Sequence, residues 1–377
     1  MVIWQRYGHM ENSILYMIYP SRGGGETTGA TDIGLPMLKD FDIARVDERT
    51  DVTAESFVRD IVAAARPVLL KGLVAHWPVV GHARTSPQAA ADYIKAMDAG
   101  HPASVLEAGG DVQGRFAYGP DLPDFNFNRQ RKSVSASIDQ IMALADQPNP
   151  AAVYVQSTST VQYLPRFAAE NPNPLLAPDI APRIWISNRT TAPTHNDNDY
   201  NLACVVAGRR RFTLFPPDQV TNLYIGPLEH TPSGRAISMA SLEDPDFEKF
   251  PKFRDAIAVA QVCELEAGDA LYIPRYWWHH VQSLDGFNVL INYWWGMPAN
   301  PLENPVLCYF DAILALKDLP EAERAYWKTM FDHYIFHSQG DPVAHIPEQH
   351  RGALGPHTPE IRKGFMQALR HAFSGRS

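Results

Sequence analysis

A histidine and an aspartate two positions apart, His195 and Asp197, stand in the polar stretch 193–201 near the middle of the chain. On a β-strand, residues two apart share a face and lie about 6.6 Å from each other, close enough to bind one metal ion together. Asp199 shares that face but lies about 13 Å from His195 along an extended strand. Asp197 is therefore the better carboxylate ligand, although an isolated HxD pair is more often an ordinary surface or turn pair.

The paired histidines His279 and His280 offer a third metal ligand, at the end of the stretch 268-GDALYIPRYWWHH-280. Two histidines and one carboxylate form the facial triad of non-haem Fe(II) oxygenases, which leaves three coordination positions free. Adjacent residues on a strand point to opposite faces, so only one of the pair can join the site, and alternation does not decide which. Alternatively, both histidines pack as core residues beneath the tryptophans, or the three ligands hold the zinc of a hydrolase.

Arg210, in the stretch 208-GRRRFTLFPP-217, alternates onto the same strand face as Phe212 and Leu214. If that face is the interior, Arg210 is a buried cation, which is costly without an anion nearby. An internal aspartate or glutamate would supply that anion. A bound dicarboxylate such as 2-oxoglutarate would also supply it, because a guanidinium group binds carboxylates bidentately.

The elements that must position these residues are short β-strands. From Ala151 to Met297, strand-like segments follow one another between turns, which predicts a β-sandwich or barrel. An insertion at 216–262 divides them, and its part 243–256 is expected to be a surface loop with a helical turn. The predicted strands are 67–74, 152–157, 183–187, 193–197, 202–207, 211–215, 270–274, 277–283 and 288–295; the predicted helices are 53–65, 86–100, 137–146, 304–317, 320–336 and 359–373.

Composition narrows the class of protein. The 377 residues are 45% hydrophobic and 20% charged, which is typical of a soluble globular protein. The net charge of −9 argues against nucleic acid bound through its phosphates, and no apolar run is long enough to cross a membrane. The three cysteines form no CxxC pair and indicate a reducing cytoplasm. Residues 20–34 are rich in glycine, serine and threonine without a core-forming pattern, so residues 1–36 are predicted to be a flexible extension.

Several longer phrases resemble the JmjC/cupin-like family of Fe(II)- and 2-oxoglutarate-dependent oxygenases. They are GRRRFTLFPPDQ, EDPDFEKFPKF, GDALYIPRYWWHHVQSL and INYWW. The resemblance covers roughly residues 38–300 and is nearest to asparaginyl hydroxylases of the factor-inhibiting-HIF type. It implies a mainly β fold with flanking helices, the double-stranded β-helix or jelly-roll, over residues 37–300. It also implies a C-terminal helical region, residues 301–377, similar in position to a segment through which such hydroxylases form homodimers.

The same resemblance implies roles for individual residues. The iron ligands are His195, Asp197 and His279, the first histidine of the pair. The residues implied to bind 2-oxoglutarate are Arg210, Tyr154, Asn201 and Asn292, and those on the substrate side are Gln156 and Trp294.

Two positions depart from the family pattern. Arg210 stands where a lysine is usual, which keeps the charge but adds bulk. Ala192, three positions before the first ligand, stands where a threonine is usual, which removes a hydroxyl group from the pocket. Both departures bear on how 2-oxoglutarate lies rather than on the metal.

The sequence thus predicts an Fe(II)- and 2-oxoglutarate-dependent dioxygenase. Such an enzyme uses O₂ to hydroxylate a protein side chain, a peptide or a small molecule and releases succinate and CO₂. Specificity is expected to depend on the loops at 108–135 and 216–262. The alternative, from a different class, is a non-catalytic cupin-type protein that binds a metal or a small molecule.

Overall fold

The computed structural model describes residues 41–119, 124–298 and 300–374. The extension predicted at 1–36 lies outside the described residues. The described chain divides into two compact units, one that ends at Trp295 and one that begins at Gly296. None of the helices in the described ranges combines the length and apolar character needed to cross a membrane.

The first unit is built on two β-sheets. One has five strands in the order β1-β11-β10-β13-β8, and the other has nine in the order β2-β3-β12-β9-β14-β7-β6-β4-β5. Pairing is antiparallel except for β1 with β11 and β2 with β3. The strands are β1 Ala44–Arg45, β2 Asp47–Arg49, β3 Val68–Leu70, β4 Ala103–Ala108, β5 Asn128–Lys132, β6 Ala152–Ser159, β7 Arg183–Ser187, β8 Thr191–Asn196, β9 Tyr200–Ala207, β10 Arg210–Phe215, β11 Gln261–Leu265, β12 Ala270–Ile273, β13 Trp278–Ser283 and β14 Asn288–Trp295.

Strands β7 to β14 form the double-stranded β-helix. Four of them, in the order β12-β9-β14-β7, lie in the larger sheet, and the other four, β11-β10-β13-β8, lie in the smaller sheet. Along the chain, the strands pass back and forth between the two sheets, which is the jelly-roll arrangement. The predicted fold class is therefore confirmed.

Strand β9 contributes side chains to two buried clusters. Its residues Leu202, Cys204 and Val206 belong to a cluster with the helices, whereas Ala203 and Val205 belong to the cluster between the sheets. Successive side chains on a strand point to opposite faces, so a strand covered on both faces is apolar throughout. The space between the sheets is thus a packed interior that holds the candidate site at one end.

Helices cover the outer face of the larger sheet. Apolar residues of α2 (Pro78–Thr85), α3 (Pro87–Lys95) and α4 (Val134–Leu144) pack there in one buried cluster. Hydroxyl side chains begin several helices, because an N-cap oxygen accepts an otherwise unpaired backbone N–H. Ser86 caps α3 in this way, and Thr53 caps α1 (Ala54–Ser56), which continues as a π-helical segment over Phe57–Val62.

The insertion packs part of its residues on the outer face of the smaller sheet. Two short helices, α5 (Thr160–Tyr163) and α6 (Phe167–Glu170), precede it in the chain. Its helix α7 (Phe253–Ala258) buries Phe253, Ala256 and Ile257 in a cluster on the outer face of the smaller sheet. Residues 243–256 are mostly exposed loop and include the start of α7, in agreement with the predicted surface loop with a helical turn. The prediction did not include the packing of Phe253, Ala256 and Ile257, which cover a sheet face that would otherwise be exposed to water.

Several elements have weak sequence signals and were not predicted. Strand β5 reads NRQRK and lies at the sheet edge, where polar residues are usual and no hydrophobic alternation develops. Strand β11 begins inside the predicted insertion, and β4 and α2 also lie outside the predicted elements. The predicted strand at 193–197 ends one residue early, so that Asp197 begins the following loop.

The described part of the second unit contains three α-helices, as predicted. They are α8 (Pro305–Leu316), α9 (Glu321–Tyr334) and α10 (Pro359–Ser374). Asn304 caps α8, and Pro305 occupies its first turn, where the missing N–H costs nothing. Neither α8 nor α9 has a buried residue, and Leu314 is 84% exposed.

Candidate metal centre

The two histidines of the candidate site face each other across a strand pair. In the antiparallel pairing of β8 with β13, His195 lies directly opposite His279, and the ring centroids are 4.4 Å apart. Two residues further along β13, Val281 lies opposite Ala192, so β8 contains one extra residue. This β-bulge includes Pro193, which has no N–H to donate to the ladder. The bulge lets Ala192 and His195, an odd number of positions apart, both face the interior.

Three donor groups converge at this place. The potential ligand atoms of His195, Asp197 and His279 all lie within 4.8 Å of one another. Nδ1 of His195 lies 2.7 Å from the carbonyl oxygen of Pro193, and Nδ1 of His279 lies 3.1 Å from that of Trp277. If each Nδ1–H donates to that carbonyl, the Nε2 lone pair remains for a metal, as is usual for metal-binding histidines. The donor set fits a divalent cation.

Burial and neighbouring charges set the protonation of the group. Burial and the nearby His279 lower the pKa of His195 to about 4, so this imidazole is neutral at neutral pH. Burial would raise the pKa of Asp197, but His279, His195 and Arg235 outweigh it and hold that pKa below its usual value. A neutral imidazole and an ionised carboxylate are the forms that bind metals.

His280 points the other way, which resolves the choice that alternation left open. Its Nε2 lies 2.7 Å from Oε1 of Glu243, and its Nδ1 lies 3.5 Å from the Thr194 hydroxyl group. Burial would raise the pKa of Glu243, but His280 outweighs it and lowers that pKa to about 2. His280 is thus a buried side chain with its own partners on the outer face of the smaller sheet, and His279 is the histidine that meets His195.

Arg210 is a buried cation without a counter-ion. It is 2% exposed, and its Nε and Nη2 atoms have no hydrogen-bond partner. The next residue, Arg211, points outward to Glu264 at 2.6 Å, whereas no acidic side chain in the described part of the chain pairs with Arg210. Burial lowers the pKa of Arg210, and Tyr154 is the neighbour that opposes this shift. A guanidinium group in such surroundings is suited to an anion that enters from outside.

The turn before Arg210 requires glycine at position 208. Gly208 has a φ of +68°, and a Cβ there would lie 2.5 Å from both Oδ1 of Asn288 and the carbonyl oxygen of Phe287. Only glycine fits such a position without strain. The turn that leads into β10 therefore lies close to Asn288 at the start of β14.

The other residues predicted to bind 2-oxoglutarate, Asn201, Asn292 and Tyr154, lie on strands of the larger sheet. Nδ2 of Asn292 donates to Oδ1 of Asn201 at 2.6 Å, and Nδ2 of Asn201 lies 3.4 Å from Oδ2 of Asp197. Oδ1 of Asn292 is buried without a partner. Tyr154 stacks on Trp185 at 5.8 Å, and burial raises its pKa to about 12, so its hydroxyl group stays protonated.

The two substrate-side candidates have different surroundings. Trp294 lies opposite Asn201 in the β14–β9 pair and packs edge-on against Trp185 at 5.8 Å. Gln156 lies on β6, and its Oε1 accepts a hydrogen bond of 3.2 Å from Arg129 of the edge strand β5. Trp294 therefore lies beside Asn201, which contacts Asp197. Gln156 is hydrogen-bonded to the edge strand of the larger sheet.

Arg235 is a residue of the site that no sequence pattern indicated. Its Nε lies 3.5 Å from Oδ1 of Asp197, and its side chain is 19% exposed. It belongs to the insertion, where no strand alternation or helical period indicates which side chains point toward the barrel. Only the three-dimensional packing of the insertion reveals this contact.

Comparisons with known proteins agree with this geometry. Residues 53–300 match a family described as a cupin-like domain. The chain belongs to the cupin-like, JmjC-type oxygenase family. The family as a whole is thus shown, whereas the narrower likeness to asparaginyl hydroxylases remains a prediction.

Individual relatives share shorter stretches. The chain is 36% identical over 112 residues to lysine-specific demethylase JMJ31 of Arabidopsis thaliana, which is 29% of this chain and 20% of the relative. It is 40% identical over 102 residues to tRNA wybutosine-synthesizing protein 5 of Gallus gallus, 27% of this chain and 29% of the relative. Lysine-specific demethylase JMJ30 of Arabidopsis thaliana is 27% identical over 256 residues, 68% of this chain and 56% of the relative. Each match covers less than two thirds of the relative.

The geometry predicts one metal site that depends on Asp197. Cobalt(II), whose visible absorption reports its ligands, is expected to bind with a stoichiometry of one. Asp197→Ala should weaken binding by more than the roughly 10–100-fold that is typical of changes outside the ligand set. The matched control is Asp199→Asn, which alters a carboxylate of the same loop outside the three-donor group. Cobalt binding that survives Asp197→Ala unchanged would remove Asp197 from the ligand set.

Proposed function

We propose that the protein is an Fe(II)- and 2-oxoglutarate-dependent dioxygenase that hydroxylates a substrate still to be identified and releases succinate and CO₂. The observation that carries this proposal is the pairing of two features in one interior. A group of two imidazoles and one carboxylate suits Fe(II). The buried Arg210, with two unpartnered nitrogen atoms, suits the far carboxylate of a dicarboxylate co-substrate.

The proposed iron ligands are His195, Asp197 and His279. Three protein ligands on one side leave positions for a co-substrate and for O₂. When bound, iron with 2-oxoglutarate supplies the oxidation of a C–H bond, which the side chains alone cannot perform. The contribution of the protein is to hold the imidazole rings through their Nδ1–H groups and to keep the carboxylate ionised.

The proposed co-substrate residues act by position and charge. Arg210 and the protonated Tyr154 hold the far carboxylate of 2-oxoglutarate, because both are donors buried away from competing water. Asn201 orients Asp197 through its amide, and Asn292 fixes Asn201 in turn. The packed interior excludes water from this pocket, which strengthens each of these electrostatic contacts.

The substrate side is proposed to include Trp294 and Gln156. Trp294 offers an aromatic wall beside the asparagine pair, and Gln156 offers an amide at the rim. Arg235 joins them as a cation from the insertion that reaches Asp197. Free thiols at Cys204 and Cys263, both buried, agree with the reducing cytoplasm that we propose as the location.

The proposed reaction is tested by measuring succinate. Purified protein with Fe(II), ascorbate, O₂ and 2-oxoglutarate is expected to form succinate, slowly on its own and faster when the substrate is present. His279→Ala should abolish this turnover, whereas Asp199→Asn should retain it. A protein that binds Fe(II) and 2-oxoglutarate yet forms no succinate, with candidate peptides and metabolites included, would instead be the non-catalytic binding protein.

A second prediction tests whether Arg210 binds an anion or has only a structural role. Because its charge is buried without a counter-ion, Arg210→Met is expected to stabilise the ligand-free protein, by about 1–4 kcal/mol. The same change should weaken 2-oxoglutarate binding to the Mn(II)-loaded protein at least about tenfold, since a charge-assisted contact is lost. Thermal unfolding and calorimetry measure the two effects.

The control for this pair of measurements is Arg211→Met on the same strand. Arg211 points outward and pairs with Glu264, so its loss should leave 2-oxoglutarate affinity unchanged. If Arg210→Met destabilises the ligand-free protein and leaves 2-oxoglutarate affinity intact, Arg210 has a purely structural role.

We also propose that the second unit forms a homodimer through α8 and α9. Leu314 is 84% exposed, and Tyr309 and Trp327 are 53% and 40% exposed. The apolar stripe predicted on α8, which is Val306, Phe310, Ile313 and Leu314, has no buried member. Such a surface is typical of an interface between protein copies rather than of a face left in water.

The dimer is tested by sedimentation equilibrium at micromolar concentration. Leu314→Glu is expected to shift the protein to monomer, because it places a charge in the apolar stripe. Ala315→Glu, on the exposed neighbouring face, should leave the dimer intact. A wild-type protein that is monomeric throughout this range would contradict the proposal.

A further inference from the structure

One segment of the insertion, residues 235–243, contacts both strands that carry the candidate metal ligands; we call it the clasp. Near its centre, Ser238 N–H donates to the carbonyl oxygen of Thr194 on β8 at 2.8 Å. At its end, Glu243 contacts His280 on β13. At its beginning, Arg235 reaches Asp197. The clasp thus meets each of the three places from which a metal ligand projects.

The Glu243 carboxylate makes three side-chain contacts. Its Oε1 lies 2.7 Å from Nε2 of His280 and accepts a hydrogen bond of 3.3 Å from Gln282. Its Oε2 accepts a hydrogen bond of 3.3 Å from the hydroxyl group of Ser241. Two of these partners belong to β13, so one carboxylate joins the insertion to the strand of His279.

The clasp attaches to β8 and β13 at the β-bulge. A bulge leaves residues without ladder partners and lets the strand bend, so its shape must be fixed by other contacts. His280 and Thr194 lie at this gap, with their polar atoms 3.5 Å apart. Thr194 directly precedes His195, and His280 directly follows His279. The contacts that hold the bulge from outside therefore also hold the two imidazoles in register inside.

Neither the fold nor the core packing accounts for the polarity of these contacts. Outside the clasp, the insertion packs through apolar side chains such as Phe253 and Leu223. At the bulge, by contrast, a histidine that is 2% exposed is paired with a carboxylate. A polar connection fixes direction as well as contact, which is what positioning of a neighbouring residue requires.

We infer that the clasp couples the insertion to metal retention, with Glu243 as a positioning residue that acts through His280. The inference rests on the proposed function in requiring that the three-donor group binds a metal. It goes further, because it links the layer that covers the smaller sheet to the metal centre. By thermodynamic reciprocity, metal binding also makes the clasp more rigid.

The test uses the whole 377-residue chain and compares two like substitutions. Glu243→Gln removes the carboxylate of the clasp, and Glu264→Gln removes a carboxylate of the same sheet that pairs with Arg211 outside the clasp. We expect Glu243→Gln to raise the Mn(II) dissociation constant about tenfold or more. Glu264→Gln should leave the Mn(II) dissociation constant within about twofold, because Glu264 contacts none of the three proposed ligands and neither Thr194 nor His280.

Hydrogen exchange supplies a readout that a merely structural role would not change. Mn(II) is expected to protect backbone amides of residues 235–243 in the wild-type protein, and this protection should be lost in Glu243→Gln. If Glu243→Gln does not fold, Ser241→Ala provides a milder change, which removes one hydrogen bond to Glu243. It is expected to raise the dissociation constant by roughly threefold.

Each outcome is decisive. Mn(II) affinity that is unchanged in Glu243→Gln, or in Ser241→Ala where that variant replaces it, would overturn the role of the clasp and leave the metal site standing. An equal loss of affinity in Glu264→Gln would show a general effect of stability and would also overturn it. A wild-type protein that binds no Mn(II) would overturn the proposed function itself.

Discussion

The antiparallel pairing of β8 with β13 is the constraint on which the rest of the site depends. This pairing sets His195 opposite His279, and a single bulge keeps both side chains on the interior face. A shift of register by one residue would send every side chain of a strand to the other face. The bulge at Pro193 and the polar contacts outside it therefore help to keep His195 and His279 together.

In the same interior, the positive charge of Arg210 is not balanced by an anion of the described residues. Arg210 follows the glycine turn at Gly208, and its guanidinium group lacks an anionic partner among the described residues. Folding a protein around an unpaired charge is costly. A dicarboxylate bound here would offset part of that cost, so the proposed affinity for 2-oxoglutarate and a lower stability of the ligand-free protein are expected together.

The sequence predicted those features that depend on local regularity. β10 is a regular strand, so alternation placed Arg210 inward and Arg211 outward, where the structure has them. Register between distant strands is not local, so the residues alone left His279 and His280 undecided, and the family resemblance was needed to choose. The structure places His279 beside His195, while its role as a ligand remains a proposal.

Other features could not be predicted because their residues follow no periodic pattern. Arg235 and Glu243 lie in the insertion, where chain direction changes every few residues, and only its packing on the smaller sheet brings them to the site. The polar edge strand β5 and strand β11 inside the insertion were missed for a related reason. Polar edges carry no alternation, and a short buried strand among turns resembles any apolar loop segment.

The central claim is that one interior binds a metal through three side chains and a dicarboxylate through Arg210. The most direct measurement is a crystal structure of the protein with Mn(II) and 2-oxoglutarate, prepared without O₂. The account predicts one metal ion bound by His195, Asp197 and His279, with the far carboxylate of 2-oxoglutarate on Arg210. A metal ion bound elsewhere, or 2-oxoglutarate lying away from the guanidinium group, would contradict it.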